Sequence, residues 1–131
     1  MNILVCDDDK DILEAISIYL EYEGYQVFKA AHGLEALKVV EENEVHLGIM
    51  DTMMPHLDGL RATMKLREDK NIPVIILSAK AKDTDKIIGL NMWADDYVTK
   101  PFNALELMAR VKSQLRRNTS LGSLESKSNV Y

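Results

Sequence analysis

The chain has 131 residues, of which 47% are hydrophobic and 28% charged, and its formal net charge is −5. That length fits one compact domain with a usable core, and the acidic balance excludes a surface given over to nucleic acid. The single cysteine, Cys6, excludes an intrachain disulfide and fits a reducing, cytoplasmic setting, while an N-terminus without a basic stretch and the lack of any long apolar run argue against a signal peptide or a membrane span.

Ile3–Cys6 reads as the first strand, apolar throughout as expected where both faces are covered. Ile12, Ile16 and Leu20 recur at helical spacing with Leu13 beside them and predict the first helix. Asp9 is expected to cap it, and Asp11 to complement the dipole of its first turn. Val27–Ala30 is the second strand, and Leu34, Leu37 and Val40 mark the second helix. Leu47–Met50 is the third strand; Gly48 weakens it and suggests close packing against a helix. Asp58 before Gly59 reads as a turn or cap, and Leu60, Met64 and Arg67 outline a third helix. Val74–Leu77 is the fourth strand, Ile87 and Leu90 mark the fourth helix, and Tyr97–Val98 is the fifth strand. Leu105, Met108, Val111 and Leu115 predict the fifth helix. The domain is expected to span 1–117, and 118–131, rich in Asn, Ser, Thr and Lys, reads as a linker or disordered tail.

Five strands, each followed by a helix, imply a parallel sheet with right-handed crossovers. The expected fold is α/β: a flavodoxin-like, doubly wound, five-stranded sheet of order 2-1-3-4-5 with five helices, in three layers α/β/α, and with its site at the carboxyl ends of the strands.

Several polar residues fall at those ends. The first strand runs into Asp7-Asp8-Asp9, the third into Asp51, the fourth into Ser78 and the fifth into Lys100-Pro101. Packed carboxylates repel one another and persist together when a cation neutralises them. Hard oxygen ligands favour Mg²⁺ over Zn²⁺. An ionised Asp51 is a competent nucleophile toward a phosphoryl group, giving an aspartyl phosphate. Lys100 can then face one phosphoryl oxygen and the Ser78 hydroxyl another. Taken singly, Ser78 reads as a cap and Lys100 as a solvated lysine; their joint placement with Asp51, a charge in an apolar stretch, raises the functional reading.

With these residues in place, the chain resembles the receiver domains of two-component response regulators. The likeness spans Met1 to about Arg117. It rests on Ile3-Leu4-Val5-Cys6-Asp7-Asp8-Asp9, on Asp51-Thr52-Met53-Met54-Pro55-His56-Leu57-Asp58-Gly59, on Pro73-Val74-Ile75-Ile76-Leu77-Ser78-Ala79 and on Asp95-Asp96-Tyr97-Val98-Thr99-Lys100-Pro101-Phe102. The resemblance implies that Asp51 takes a phosphoryl group from a sensor histidine kinase. It implies that Asp7, Asp8, Asp51 and the backbone carbonyl of Met53 bind Mg²⁺. Ser78 and Tyr97 are then the switch pair, and Lys100 is the phosphate's counter-charge, followed by a cis Pro101. Such a domain is a phosphoacceptor switch rather than an enzyme, beyond its own phosphorylation and slow dephosphorylation. Met53 and Lys80 stand where the family tunes phosphate lifetime.

The fifth helix and its neighbours look like the subgroup with a C-terminal winged-helix DNA-binding domain, which forms homodimers through the fourth helix, fifth strand and fifth helix. The matching positions are Lys86 with Glu106, Asp96 with Arg110 and Asn91 with Lys112, of which the first two are opposite-charge pairs suited to a two-fold interface. DNA contact is expected only through that further domain. One departure is Trp93, where the family has a glycine that closes the fourth helix; a side chain in that left-handed conformation costs about 1 kcal/mol, so Trp93 is expected to shift the helix end and bias the switching face.

Three rival readings are weaker. A phosphatase with its nucleophile after the first strand leaves Asp51 without a role. A flavin carrier needs a small-residue phosphate loop where the acidic triplet stands. A calcium loop from Asp7, Asp9 and Asp11 lacks its glycine and its closing glutamate, replaced by Ile12 and Ile18.

Overall fold

Alternation along the strands decides how the sheet is covered. Ile3, Val5, Leu47, Ile49, Ile75, Leu77 and Val98 pack on one face, while Leu4, Cys6, Met50, Val74 and Ile76 pack on the other. Successive side chains of a strand point to opposite faces, so a run that is apolar at every position is a strand buried twice over. The computed structural model from which this follows describes residues 1–51, 64, 65, 68, 72–78 and 96–127, with side chains for all but Ser78, Tyr97 and 118–127.

The elements are β1 (Asn2–Cys6), α1 (Lys10–Tyr22), β2 (Gln26–Ala30), α2 (Gly33–Glu42), β3 (Leu47–Asp51), β4 (Val74–Ser78), β5 (Asp96–Thr99) and α3 (Ala104–Lys127). The five strands form one parallel sheet of order β2-β1-β3-β4-β5, as the alternation of strand and helix predicts. The helix α3 is the fifth of the sequence reading. Met64, Lys65 and Glu68 are helical, within the predicted third helix. The predicted fourth helix, with Ile87 and Leu90, lies outside the described residues.

Local chemistry sets the helix ends. Asp9 caps α1 as expected, its carboxylate accepting from the amides of Asp11 at 2.9 Å and Ile12 at 3.3 Å. The helix closes on Gly24, whose φ of 95° is the left-handed conformation that suits glycine. There Tyr25 N–H donates to Leu20 O and Gly24 N–H to Glu21 O, which satisfies the last carbonyls. His32 caps α2, its Nδ1 accepting from Glu35 N–H, and the Glu35 carboxylate accepts from Ala31 N–H at 2.6 Å.

Two residues of the predicted helical patterns lie outside the core. Leu34 is 54% exposed, and α2 buries Ala36 and Val40 instead. Leu105 is 81% exposed, and α3 buries Leu107, Met108, Val111 and Leu115. In each case one apolar residue fits the helical spacing loosely, and the rotation of the helix about its neighbours leaves it outside. The apolar face of α2 packs against Leu4, Cys6 and Met50, whereas α1 and α3 share the opposite face through Ile16, Leu20, Val111 and Leu115. The backbone of α3 stays helical to Lys127, ten residues past Arg117, where the sequence suggests a linker or tail.

Candidate functional site

Register brings the acidic residues together. Cys6 pairs with Met50, so Asp7, one residue past β1, comes level with Asp51, the last residue of β3. These are adjacent strands near the middle of the sheet. Asp7 is 1% exposed and Asp51 2%, whereas Asp8 stands at the open edge. One carboxylate oxygen from each of Asp7, Asp8 and Asp51 lies within 4.8 Å of the others.

Lys100 arrives from the far side. It follows β5 at the sheet's edge, and its Nζ donates to Asp7 Oδ2 at 3.0 Å and to Asp51 Oδ1 at 3.3 Å. The other oxygen of Asp7 accepts from Asp9 N–H at 2.9 Å, which fixes the carboxylate's rotation. Burial by itself would lower the Lys100 pKa; the hydrogen bond to Asp7 and the charge of Asp51 outweigh it and raise the value above the ordinary 10.5. Burial first, then the charges of Asp7 and Asp51, push the neighbouring Cys6 thiol up, so that it stays protonated.

Three carboxylates against one ammonium leave two negative charges uncompensated, the charge of one divalent cation. An all-oxygen donor set, open to water on the Asp8 side, suits Mg²⁺, which keeps several of its waters. The residues therefore fit the ion that the sequence suggests. Lys100 is joined to Pro101 by a cis peptide bond. Phe102 packs on the core beside it, and Asn103 caps α3, its Oδ1 accepting from the amides of Leu105 and Glu106.

Of the predicted switch pair, Ser78 ends β4 level with Thr99, and Tyr97 pairs with Ile76; their side chains lie outside the described residues. Met53, Lys80, Lys86, Asn91 and Trp93, and Asp58 as well, also lie outside them.

Three of the remaining candidates, Asp96, Glu106 and Arg110, line a cleft of about 340 Å³ together with Val98 and Thr99. Here the opposite-charge pair expected between two copies is made within one chain. Arg110 Nη1 donates to both Asp96 oxygens at 2.7 and 2.8 Å, while its Nε and Nη2 donate to Glu106 Oε2 at 3.3 and 3.0 Å. Asp96 first and Glu106 second raise the guanidinium's pKa still further. Lys112 reaches Glu23 at the end of α1, at 2.9 Å.

Other polar contacts escaped the sequence reading. At the opposite edge of the sheet, His46 N–H donates to Asn2 O, Asn2 N–H to His46 Nδ1 at 2.9 Å, and the Asn2 amide to Glu44 O at 2.7 Å. Together they tie the start of β1 to the approach to β3. No described helix is long and apolar enough to cross a membrane.

With this geometry in view, the comparisons with known proteins agree. Residues 3–112 match the family of response regulator receiver domains. The response regulator GtcR of Aneurinibacillus migulanus is 46% identical over 116 residues, covering 88% of this chain and 48% of that protein. The chain spans about half the length of the curated relatives it matches. The receiver domain of the Francisella response regulator 1452 superposes with a TM-score of 0.82 at 42% identity, over 89% of this chain and 98% of that one. The response regulator TrrA of Thermotoga maritima, solved in complex with Mg²⁺–BeF, gives 0.79 at 35% identity, over 86% and 97%.

Proposed function

From the premise that the chain belongs to the response regulator receiver family of two-component signalling, we propose that Asp51 is its phosphoacceptor and that a sensor histidine kinase is its donor. The observation that carries this reading is Lys100 bridging Asp7 and Asp51 beside Asp8. An Asp51 oxygen attacks the donor's phosphorus, the P–N bond of the phosphohistidine breaks, and the electron pair leaves on the imidazole nitrogen. An acyl phosphate results. Water later cleaves its O–P bond, releasing inorganic phosphate and restoring the carboxylate.

Little covalent work falls to the protein, which positions the groups and offsets charge. Asp7, Asp8, Asp51 and the Met53 carbonyl would hold Mg²⁺, which supplies positive charge to the phosphoryl oxygens. Lys100 follows the nucleophile's charge onto the phosphate. The Ser78 hydroxyl turns toward a third oxygen, and Tyr97 fills the space this vacates. Such a shift reaches Asp96, at the head of the strand that ends before Lys100, and so alters the face carrying Lys86, Asn91, Glu106, Arg110 and Lys112. Two copies then join there, controlling a DNA-binding output module in the full-length regulator. The phosphoacceptor domain proposed here spans residues 1–117.

Intact mass after exposure to acetyl phosphate tests the core of this reading. We expect a Mg²⁺-dependent gain of one phosphoryl group that Asp51→Ala abolishes. Labelling that survives in Asp51→Ala but disappears in Asp7→Ala would instead favour the phosphatase-like chemistry.

A further inference from the structure

Among the described residues of the proposed pairing face, Arg110 is already ionically satisfied within a single chain. All three guanidinium nitrogens of Arg110 are engaged in cis, Nη1 by Asp96 and the other two by Glu106. A bidentate contact of this kind holds the planar fork in one orientation. Asp96 and Arg110 are thus complementary within one copy and equally complementary across a two-fold axis, so both states draw on the same charges. Charge complementarity of this face with itself marks a second copy of the chain as its occupant.

We propose that the Asp96–Arg110–Glu106 cluster is a resting lock, and that assembly proceeds by exchanging the cis pair for the trans one. The inference rests on the two-fold assembly described under the proposed function and adds its regulation. The number of Asp–Arg pairs is the same before and after exchange, so the pairs set the partner and the register while contributing little net drive. Release comes along β5. The strand begins at Asp96, ends at Thr99 and leads directly into Lys100, the residue bound to Asp51. A displacement of Lys100 at the site is therefore transmitted through four residues to the lock. Arg110 lies on α3 and Asp96 on β5, so the two partners of the lock sit on different elements.

Charge reversal separates exchange from simple addition. Asp96→Arg and Arg110→Asp each place like charges together in cis and, in a homodimer, in trans. Mixed in equal amounts, they relieve the clash in trans, where every pair is again opposite in sign, while the cis pair within each copy stays like-charged and cannot lock. Sedimentation is measured for the native chain, each variant, the mixture and the double variant, with and without Mg²⁺ and beryllium fluoride as the phosphoryl mimic. We expect the native chain and the double variant, whose cis pair is restored, to assemble only with the mimic. The mixture should assemble without it, at least about tenfold more tightly than the unactivated native chain, since like-charge contacts cost several kcal/mol. A mixture that still requires the mimic, or a double variant that does not, overturns the exchange. A native chain that takes up the mimic yet stays single removes the two-fold assembly itself, and the exchange with it. Should the single variants fold poorly, salt dependence of the activated dimer decides. In a Lys86→Ala chain, which removes the other opposite-charge pair expected across the axis, exchange predicts a dissociation constant changing less than about threefold between roughly 0.05 and 0.5 M salt, because no exposed pair is gained; a tenfold weakening would show newly formed pairs and overturn it.

Discussion

Replacing Lys100 with methionine tests whether this side chain stands in for a cation. The ammonium is 17% exposed, and the Asp7 and Asp51 carboxylates it joins are 0% and 3% exposed. Removing one member of such a buried ion cluster destabilises by about 3–5 kcal/mol, because the remaining charges stay buried without compensation. The lower end applies, since the ammonium keeps some contact with water and Asp8 opens the cluster to solvent. A loss of about 3 kcal/mol lowers the melting midpoint by roughly 10 °C in a chain of this size. If Asp7, Asp8 and Asp51 bind Mg²⁺, the ion meets no competing ammonium in Lys100→Met and binds it more tightly. Ion at a hundred times its dissociation constant contributes about 2.7 kcal/mol, so Mg²⁺ should return most of the loss. The assay is thermal or urea unfolding of both chains, first in chelator and then across a Mg²⁺ titration. A variant as stable as the native chain in chelator, or an equal Mg²⁺ response in both, would show that Lys100 does not play this part.

Alkaline conditions should weaken the fold. The folded pKa of Lys100 is raised above 10.5, so its contribution is complete below that value and is lost as pH climbs through the folded one. Cys6 acts in the same direction from its ordinary value of 9.0, because the unfolded thiol ionises while the buried one cannot. Urea midpoints taken from pH 8 upward should fall accordingly, and Cys6→Ala should remove the earlier part of the fall. Asp9→Ala leaves the amides of Asp11 and Ile12 without their acceptor and should destabilise by about 1 kcal/mol by urea titration, without changing Mg²⁺ affinity. Leu105→Ser, at an 81% exposed position, should alter stability by less than about 0.5 kcal/mol.

The positions of β1, β3 and β4 were readable because burial on both faces removes the usual alternation, and a parallel sheet places every strand's carboxyl end on one edge. Those two facts sufficed to group Asp7, Asp8, Asp51 and Lys100 before any distance was measured. The cap at Asp9 followed from residue type alone. What escaped depends on orientation in space. Leu34 and Leu105 fit a helical period, yet a period does not fix which way a helix is turned against its sheet. His32 took a cap position where Ser, Thr, Asp or Asn is the usual signal. The partners of Arg110 could be named by charge, but whether it meets Asp96 in its own chain or in a second copy depends on how α3 lies beside β5, which sequence spacing leaves open.

The order of the sheet also grades the site by local stability. Asp7 and Asp51 extend from β1 and β3, each flanked by a strand on both sides, whereas Lys100 hangs from β5, paired only with β4 among the described strands. Amides in the two inner strands can exchange with deuterated solvent only when most of the domain opens, while the outer strand can fray by itself. The acidic half of the site is thus expected to be anchored in slower-exchanging strands than the basic half. A sheet ordered this way allows Lys100 to be released without loosening the carboxylates, so that under the proposed function β5 would carry a signal outward while the phosphoacceptor's surroundings keep their shape.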